Sequence, residues 1–196
     1  MAADFITLLV SLFVIINPFA SMPVLINFFK DPKQQRKAAL EASVAAFLIL
    51  VIFSLFGIWV LTAMGISIPA FMIAGGLLLL VLGFDFILGQ NMPRSRHVVK
   101  DAAEVIVPIG TPLLAGPGAI TTVIYFSSTY GLFATLPAII IAMLISFLFL
   151  YATSAFSKHL GRNGLRILSR IMGLLTAAIA ISLIEKALVI YGIIRM

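Results

Sequence analysis

The sequence predicts an all-α integral membrane protein: six transmembrane helices in two inverted-topology three-helix repeats, with spans one and four broken at Pro-containing motifs. Three observations predict it. Long apolar runs are separated by short basic clusters, those clusters fall in alternate loops, and a pair of prolines recurs at a fixed offset. The chain is 62% hydrophobic and 10% charged, with a mean hydropathy of +1.21. Soluble domains are about half apolar and about a quarter charged, so composition alone selects the membrane class.

The span count follows from the charge-free intervals. Residues 5–29 hold 25 residues, 42–84 hold 43 and 105–157 hold 53. One crossing needs ~20 residues. The first interval is one span. The second is two, divided near Thr62–Pro69, and the third is two, divided near Ser127–Gly131. The sixth span runs from about Ile167 to the early 190s, and the basic stretch Lys158–Arg166, with His159, is expected as a loop. A single transmembrane domain, 1–196, thus divides into a first repeat of about 1–90, a linker of about 91–104 and a second repeat of about 105–196. The N-terminal run carries Asp4 where a signal peptide has a basic region, and it is expected to be retained as the first span.

Orientation follows from lysine and arginine in short loops. Lys30, Lys33, Arg36 and Lys37 lie after span one. Arg94, Arg96 and Lys100 lie after span three, and Lys158, Arg162, Arg166 and Arg170 lie around the start of span six. Only Lys186 and Arg195 fall on the other side. Both termini are then expected outside the cytoplasm. The net charge of +6 comes from these scattered clusters, not from one basic face, so nucleic acid is not an expected partner. The lipid bilayer and a small-molecule substrate are, and a homo-oligomer is compatible with a chain of this size.

Span one contains Asn17-Pro-Phe-Ala-Ser-Met-Pro23 and span four contains Thr111-Pro-Leu-Leu-Ala-Gly-Pro117, an offset of 94. Ile73-Ala-Gly-Gly-Leu-Leu78 likewise lies over Arg170-Ile-Met-Gly-Leu-Leu175 at an offset of 97. An odd number of spans per repeat inverts the second repeat, a plan known in secondary transporters. Proline removes a backbone bond, and in lipid the freed carbonyl needs a protein or water partner. Spans one and four are therefore expected to face the interior. Asn-Pro and Thr-Pro also read as an N-cap followed by proline at the first helical position. Asn17 and Thr111 would each start a half-helix whose N–H groups and partial positive charge suit a carboxylate. The substrate-binding candidates are Asn17, Pro18, Pro23, Thr111, Pro112, Gly116, Pro117, Gly118 and Thr121. Gly116-Pro117-Gly118 would allow close approach of a solute or another backbone. A simple kink in each span is the competing reading.

Asp85, late in span three, is a candidate for coupling or gating because a membrane carboxylate is functional by default. A structural ion pair at the interface explains it equally well. Arg170 is the second such candidate, with snorkelling to the interface as the alternative. Thr121, Thr122, Thr176 and Ser182 read by default as interhelical hydrogen-bonding groups, and Gly75, Gly76, Gly83 and Gly173 as close helix contacts. No metal site is expected. Catalytic motifs and a phosphate-binding loop are missing, so an enzyme is not expected. No cofactor is expected either, and a proton or sodium gradient is the candidate driving force.

These motifs resemble the MarC family of small inner-membrane proteins. The resemblance rests on Asn17–Pro23, on Pro112-Leu-Leu-Ala-Gly-Pro-Gly-Ala-Ile120 and on Arg170–Leu175, and spans essentially the whole chain. This chain has Pro18-Phe19-Ala20 where the family often has Pro-x-Gly. The resemblance implies a place in the LysE-like superfamily of amino-acid and small-solute exporters, with a small neutral amino acid such as glycine or alanine as the solute and a bacterial or archaeal plasma membrane as the location. Three functions are then in play: a secondary transporter working by alternating access, a passive small-solute channel, and a non-transporting membrane scaffold or assembly protein.

Overall fold

The computed structural model describes residues 2–29, 31–89 and 114–194, and among these there are seven helices and no strand. Helices α1 (Ala2–Ile16) and α2 (Pro18–Phe28) form a first span broken at Asn17. They are followed by α3 (Pro32–Ala63), α4 (Ile68–Leu88), α5 (Pro117–Tyr130), α6 (Leu132–Tyr151) and α7 (Thr153–Ile190).

Among the described residues five stretches are long and apolar enough to cross a membrane: Phe5–Met22, Pro32–Ala63, Ile68–Leu88, Leu132–Tyr151 and Arg166–Ile190. Helix α5 has 14 residues, about 21 Å, against a hydrocarbon thickness of ~30 Å. The expected linker, Thr111 and Pro112 lie outside the described residues.

Local chemistry sets the breaks. Asp31 caps α3 by accepting from Lys33 N at 3.1 Å, with Pro32 at the first helical position. Ser67 caps α4 by accepting from Ala70 N at 3.3 Å. Between them the chain turns at Met64–Ser67, inside the expected segment, with Gly65 at φ 69°. The next turn falls on Gly131, φ 77°, and residues 127–130 remain helical. One expectation is corrected. Lys158–Arg166, with His159, is not a loop: α7 is continuous from Thr153 to Ile190, 38 residues. A charge marks where the chain meets water, and lysine and arginine are good helix formers, so the helix runs on beyond the bilayer.

Packing is inside-out relative to a soluble bundle. The buried positions of α3 include Ala38, Ala39, Ala42, Ser43, Ala46, Ser54 and Gly57, while Leu48, Ile52, Phe56 and Trp59 are exposed. Small residues let helices approach, and large apolar ones face lipid. Burial is uneven among the spans. In Phe5–Met22 the buried share is 61%, against 28–33% in the other four, so the broken span is the interior one. Helix α5 is interior too, with every residue from Thr121 to Ser127 buried.

The closest helix pair is α4 and α7. A Cβ on Gly76 would lie 3.0 Å from Ala180 O, and one on Gly83 would lie 2.9 Å from Gly173 O. Residue numbers rise along α4 as they fall along α7, so the two helices are antiparallel. Helices α3 and α5 are antiparallel by the same criterion. Ser54 Oγ stands 2.7 Å from Ser127 Oγ, and Gly57 packs against Ile124.

Candidate functional site

The break in span one sits in the buried centre of the bundle. Asn17 is 1% exposed and adopts φ 46°, ψ 67°. It is the one non-glycine residue with positive φ among the described residues. Asparagine enters this left-handed region more readily than bulkier side chains. Its backbone N–H still donates to Phe13 O at 3.0 Å, closing α1. Its Oδ1 accepts from Ala20 N at 3.2 Å, which caps α2, and Pro18 holds the first helical position. Asn17 therefore ends one helix and begins the next.

Two backbone acceptors are orphaned here. Pro18 and Pro23 have no N–H to offer the carbonyls four residues earlier, which belong to Val14 and Phe19. Both find hydroxyls on α7. Thr176 Oγ1 lies 3.4 Å from Val14 O, and Ser169 Oγ donates to Phe19 O at 3.2 Å. Thr176 also donates to Met172 O on its own helix at 2.8 Å, so one hydroxyl proton serves two acceptors. The interhelical role expected for Thr176 is what the structure contains, whereas Thr121 and Thr122 donate within their own helix, to Pro117 O and Gly118 O at 2.8 Å.

Aromatic rings wall one side of the break. Phe149 of α6 stacks edge-on against Phe19 at 4.8 Å and tilts against Phe13 at 5.8 Å. Phe13 and Phe19 themselves meet at 6.1 Å. Two side-chain atoms beside the break are buried with no hydrogen-bond partner among the described residues: Asn17 Nδ2 and Ser21 Oγ, one helical turn apart. Buried polar atoms are nearly always paired, so this pair marks a place able to receive a polar group.

In span four, Gly116 caps α5 and is buried, whereas Pro117, the first helical residue, is exposed. Gly118 is buried against Leu79, with no room for a Cβ. Thr121 is 1% exposed, donates to Pro117 O at 2.8 Å and packs on Gly75. Gly118 and Thr121 thus lie in the α4–α5 contact. Leu114, Ala115 and Ala119 share one buried core with Ile15, Ile16 and Phe19, so the two motif regions feed the same interior. Pro18 is buried at the break, and Pro23 lies within α2.

Asp85 is part-exposed in the last turn of α4, where Gly89 N–H caps its carbonyl. Arg170 is exposed, and its Nη2 is 3.9 Å from where a Cβ on Gly89 would stand. The α4–α7 register brings Asp85 and Arg170 level. A guanidinium at this helix C-terminus complements the partial negative charge there.

Ser21, Ser169 and the Phe13–Phe19–Phe149 cluster were not singled out from sequence. The i−4 rule for proline names Val14 and Phe19 as orphaned acceptors, which was a usable signal. Their donors lie 162 and 150 residues away in the chain and carry no local mark.

Comparison with known proteins agrees with this architecture. A family model described as MarC family integral membrane protein matches residues 2–191. A UPF0056 membrane protein of Methanocaldococcus jannaschii is 39% identical, over 94% of this chain and 95% of its own. One from Aquifex aeolicus is 34% identical, over 94% of this chain and 92% of its own. One from Buchnera aphidicola of Schizaphis graminum is 32% identical, over 92% and 90% respectively. No solved structure matches the chain. A broken, buried first span within a bundle of long apolar helices, and a match over nearly every residue, lead to one statement: the chain belongs to the MarC family of integral membrane proteins.

Proposed function

We propose that the chain is a secondary transporter moving a small zwitterionic solute, a small neutral amino acid, across a bacterial or archaeal plasma membrane by alternating access. The observation that carries this reading is the interior break at Asn17, with Asn17 Nδ2 and Ser21 Oγ buried and unpartnered among the described residues at the start of α2. A helix N-terminus attracts negative charge, and an amide donor with a hydroxyl adds two bonds to a carboxylate. The ammonium of the same solute is received by the second lone pairs of carbonyls at the break, such as Val14 O and Phe19 O, each bonded once by a hydroxyl of α7. Gly116 and Pro117, at the start of α5, contribute the second half-helix start. The chain is not an enzyme in this reading. A proton or sodium gradient drives flux, with Asp85 and Arg170 as gating groups at the cytoplasmic end, and export is the working direction.

Alternating access needs two comparable bodies, and the α4–α7 register supports them. Shifting by the 97-residue offset turns the Gly76–Ala180 approach, 3.0 Å, into the Gly173–Gly83 approach, 2.9 Å. A two-fold exchange of halves requires this reciprocity. The antiparallel run of the two helices puts the axis in the membrane plane, as in inverted repeats. Six crossings, with α5 as the described part of the fourth, complete the plan, and both termini are outside.

The test is uptake and counterflow of labelled amino acids in proteoliposomes under imposed proton or sodium gradients. Saturable counterflow of glycine or alanine, reduced at least tenfold by Asn17→Ala, is expected. Non-saturable flux would indicate a channel. Background flux for every amino acid under both gradients would leave the scaffold reading standing and end this one.

A further inference from the structure

The four helices that meet at the break fall into two pairs. Helix α1 packs chiefly on α6, while α2 packs more on α7 than on any other helix. Asn17 joins the two pairs, an α1–α6 body and an α2–α7 body, while Ala152 joins α6 to α7 and Phe149 of α6 packs on Phe19 of α2. The two hydroxyl bonds from α7 therefore differ in kind. Ser169 to Phe19 lies within one body and ties α7 to α2. Thr176 to Val14 crosses from one body to the other.

We propose that Thr176 is a latch: a positioning residue that holds the break closed through the Val14 carbonyl and releases it by keeping its proton on Met172. The geometry suits release. The bond to Met172 O is the shorter, 2.8 Å against 3.4 Å, and is made within α7. When α1 moves away, the hydroxyl keeps a partner and only the carbonyl loses one. That carbonyl is orphaned because α1 ends at Asn17, whose left-handed φ of 46° turns the chain out of the helix, and because Pro18 has no N–H to offer. Ser169 has no part in release, since its acceptor moves with it. This inference rests on the transporter reading for its meaning in a cycle, and on geometry alone for the latch.

The sequence has no cysteine, so a single cysteine at Ser21, fully buried beside the break, reports opening through its rate of thiol labelling in the full-length protein. Thr176→Val removes the hydroxyl at nearly constant volume and should raise that rate roughly fivefold, the equilibrium shift equivalent to one ordinary hydrogen bond. Thr176→Ser keeps the hydroxyl and should leave the rate near the parent's. Ser169→Ala removes the hydroxyl that ties α7 to α2 within one body and should leave the rate near the parent's. An unchanged rate in monodisperse Thr176→Val protein, or a rise of equal size in Thr176→Ser or in Ser169→Ala, overturns the latch. The measurement uses no solute, so its outcome is separate from that of the flux assay.

Discussion

Gly83 and Gly173 meet backbone to backbone: a Cβ built on either would stand 2.9 Å from the carbonyl oxygen of the other. Neither oxygen can swing aside as a side-chain tip would. Gly83→Ala or Gly173→Ala must separate α4 from α7, and an overpacked contact of this kind costs about 1–3 kcal/mol. Gly65→Ala has open space around it but a strained φ of 69°, and separates backbone strain from helix crowding. Thermal unfolding of the detergent-solubilised protein checks this, with both crossing variants expected to melt earlier. Wild-type melting for the pair would show the two helices held together by other contacts.

The Ser54–Ser127 hydroxyl pair, 2.7 Å apart, tethers α3 to α5 in the buried interior. Removing one partner strands the other, at a cost of about 1–3 kcal/mol, whereas removing both is close to neutral. Ser54→Ala and Ser127→Ala should each lower the melting temperature, and the double variant should recover most of the loss. Additive losses would refute the pairing.

Asn17 combines a cap with left-handed backbone, so its replacements separate the two roles. Asn17→Gly keeps the backbone and loses the side-chain oxygen. Asn17→Ala loses the cap and also strains φ. Loss of an N-cap costs about 1 kcal/mol, and glycine at that position only a few tenths. The expected stability order is Asn, then Gly, then Ala, read from unfolding midpoints. An Ala variant as stable as the Gly variant would argue against the strained conformation.

Orientation is testable because any introduced thiol is unique. In the proposed orientation Phe133, 99% exposed after the Gly131 turn, lies on the outer side, and exposed Asn163 on the inner. An impermeant maleimide on right-side-out vesicles should label Phe133→Cys at once and Asn163→Cys only after permeabilisation. The reverse pattern would invert the topology.

Much of this architecture was legible because lipid punishes unpaired backbone and charge alike. Charge-free intervals marked four of the five long apolar stretches among the described residues, and the turn at Met64–Ser67 fell within the segment marked by Thr62 and Pro69. The Asn17-Pro18 dipeptide announced a helix start, and the structure has one. Thr111 and Pro112 lie outside the described residues, so their counterpart reading stands as proposed. The length of α7 was hidden because basic residues signal water and say nothing about where a helix ends. Ser21 was overlooked because a membrane serine ordinarily bonds its own preceding turn. At Ser21 that preceding turn is the broken one, and Asn17 O takes Ala20 N at 3.1 Å.

Helix α7 is a rod of 38 unbroken residues, ~57 Å long. Its tight crossing at Gly173 lies 20 residues from its first, Thr153, and acts as a fulcrum. A tilt of about 10° there sweeps the overhanging end by roughly 5 Å. The sequence of that end includes Lys158, Arg162 and Arg166, so in the proposed alternating-access cycle a rocking of α7 would carry positive charge across anionic headgroups, and the lipid composition of the leaflet would become a load on the lever.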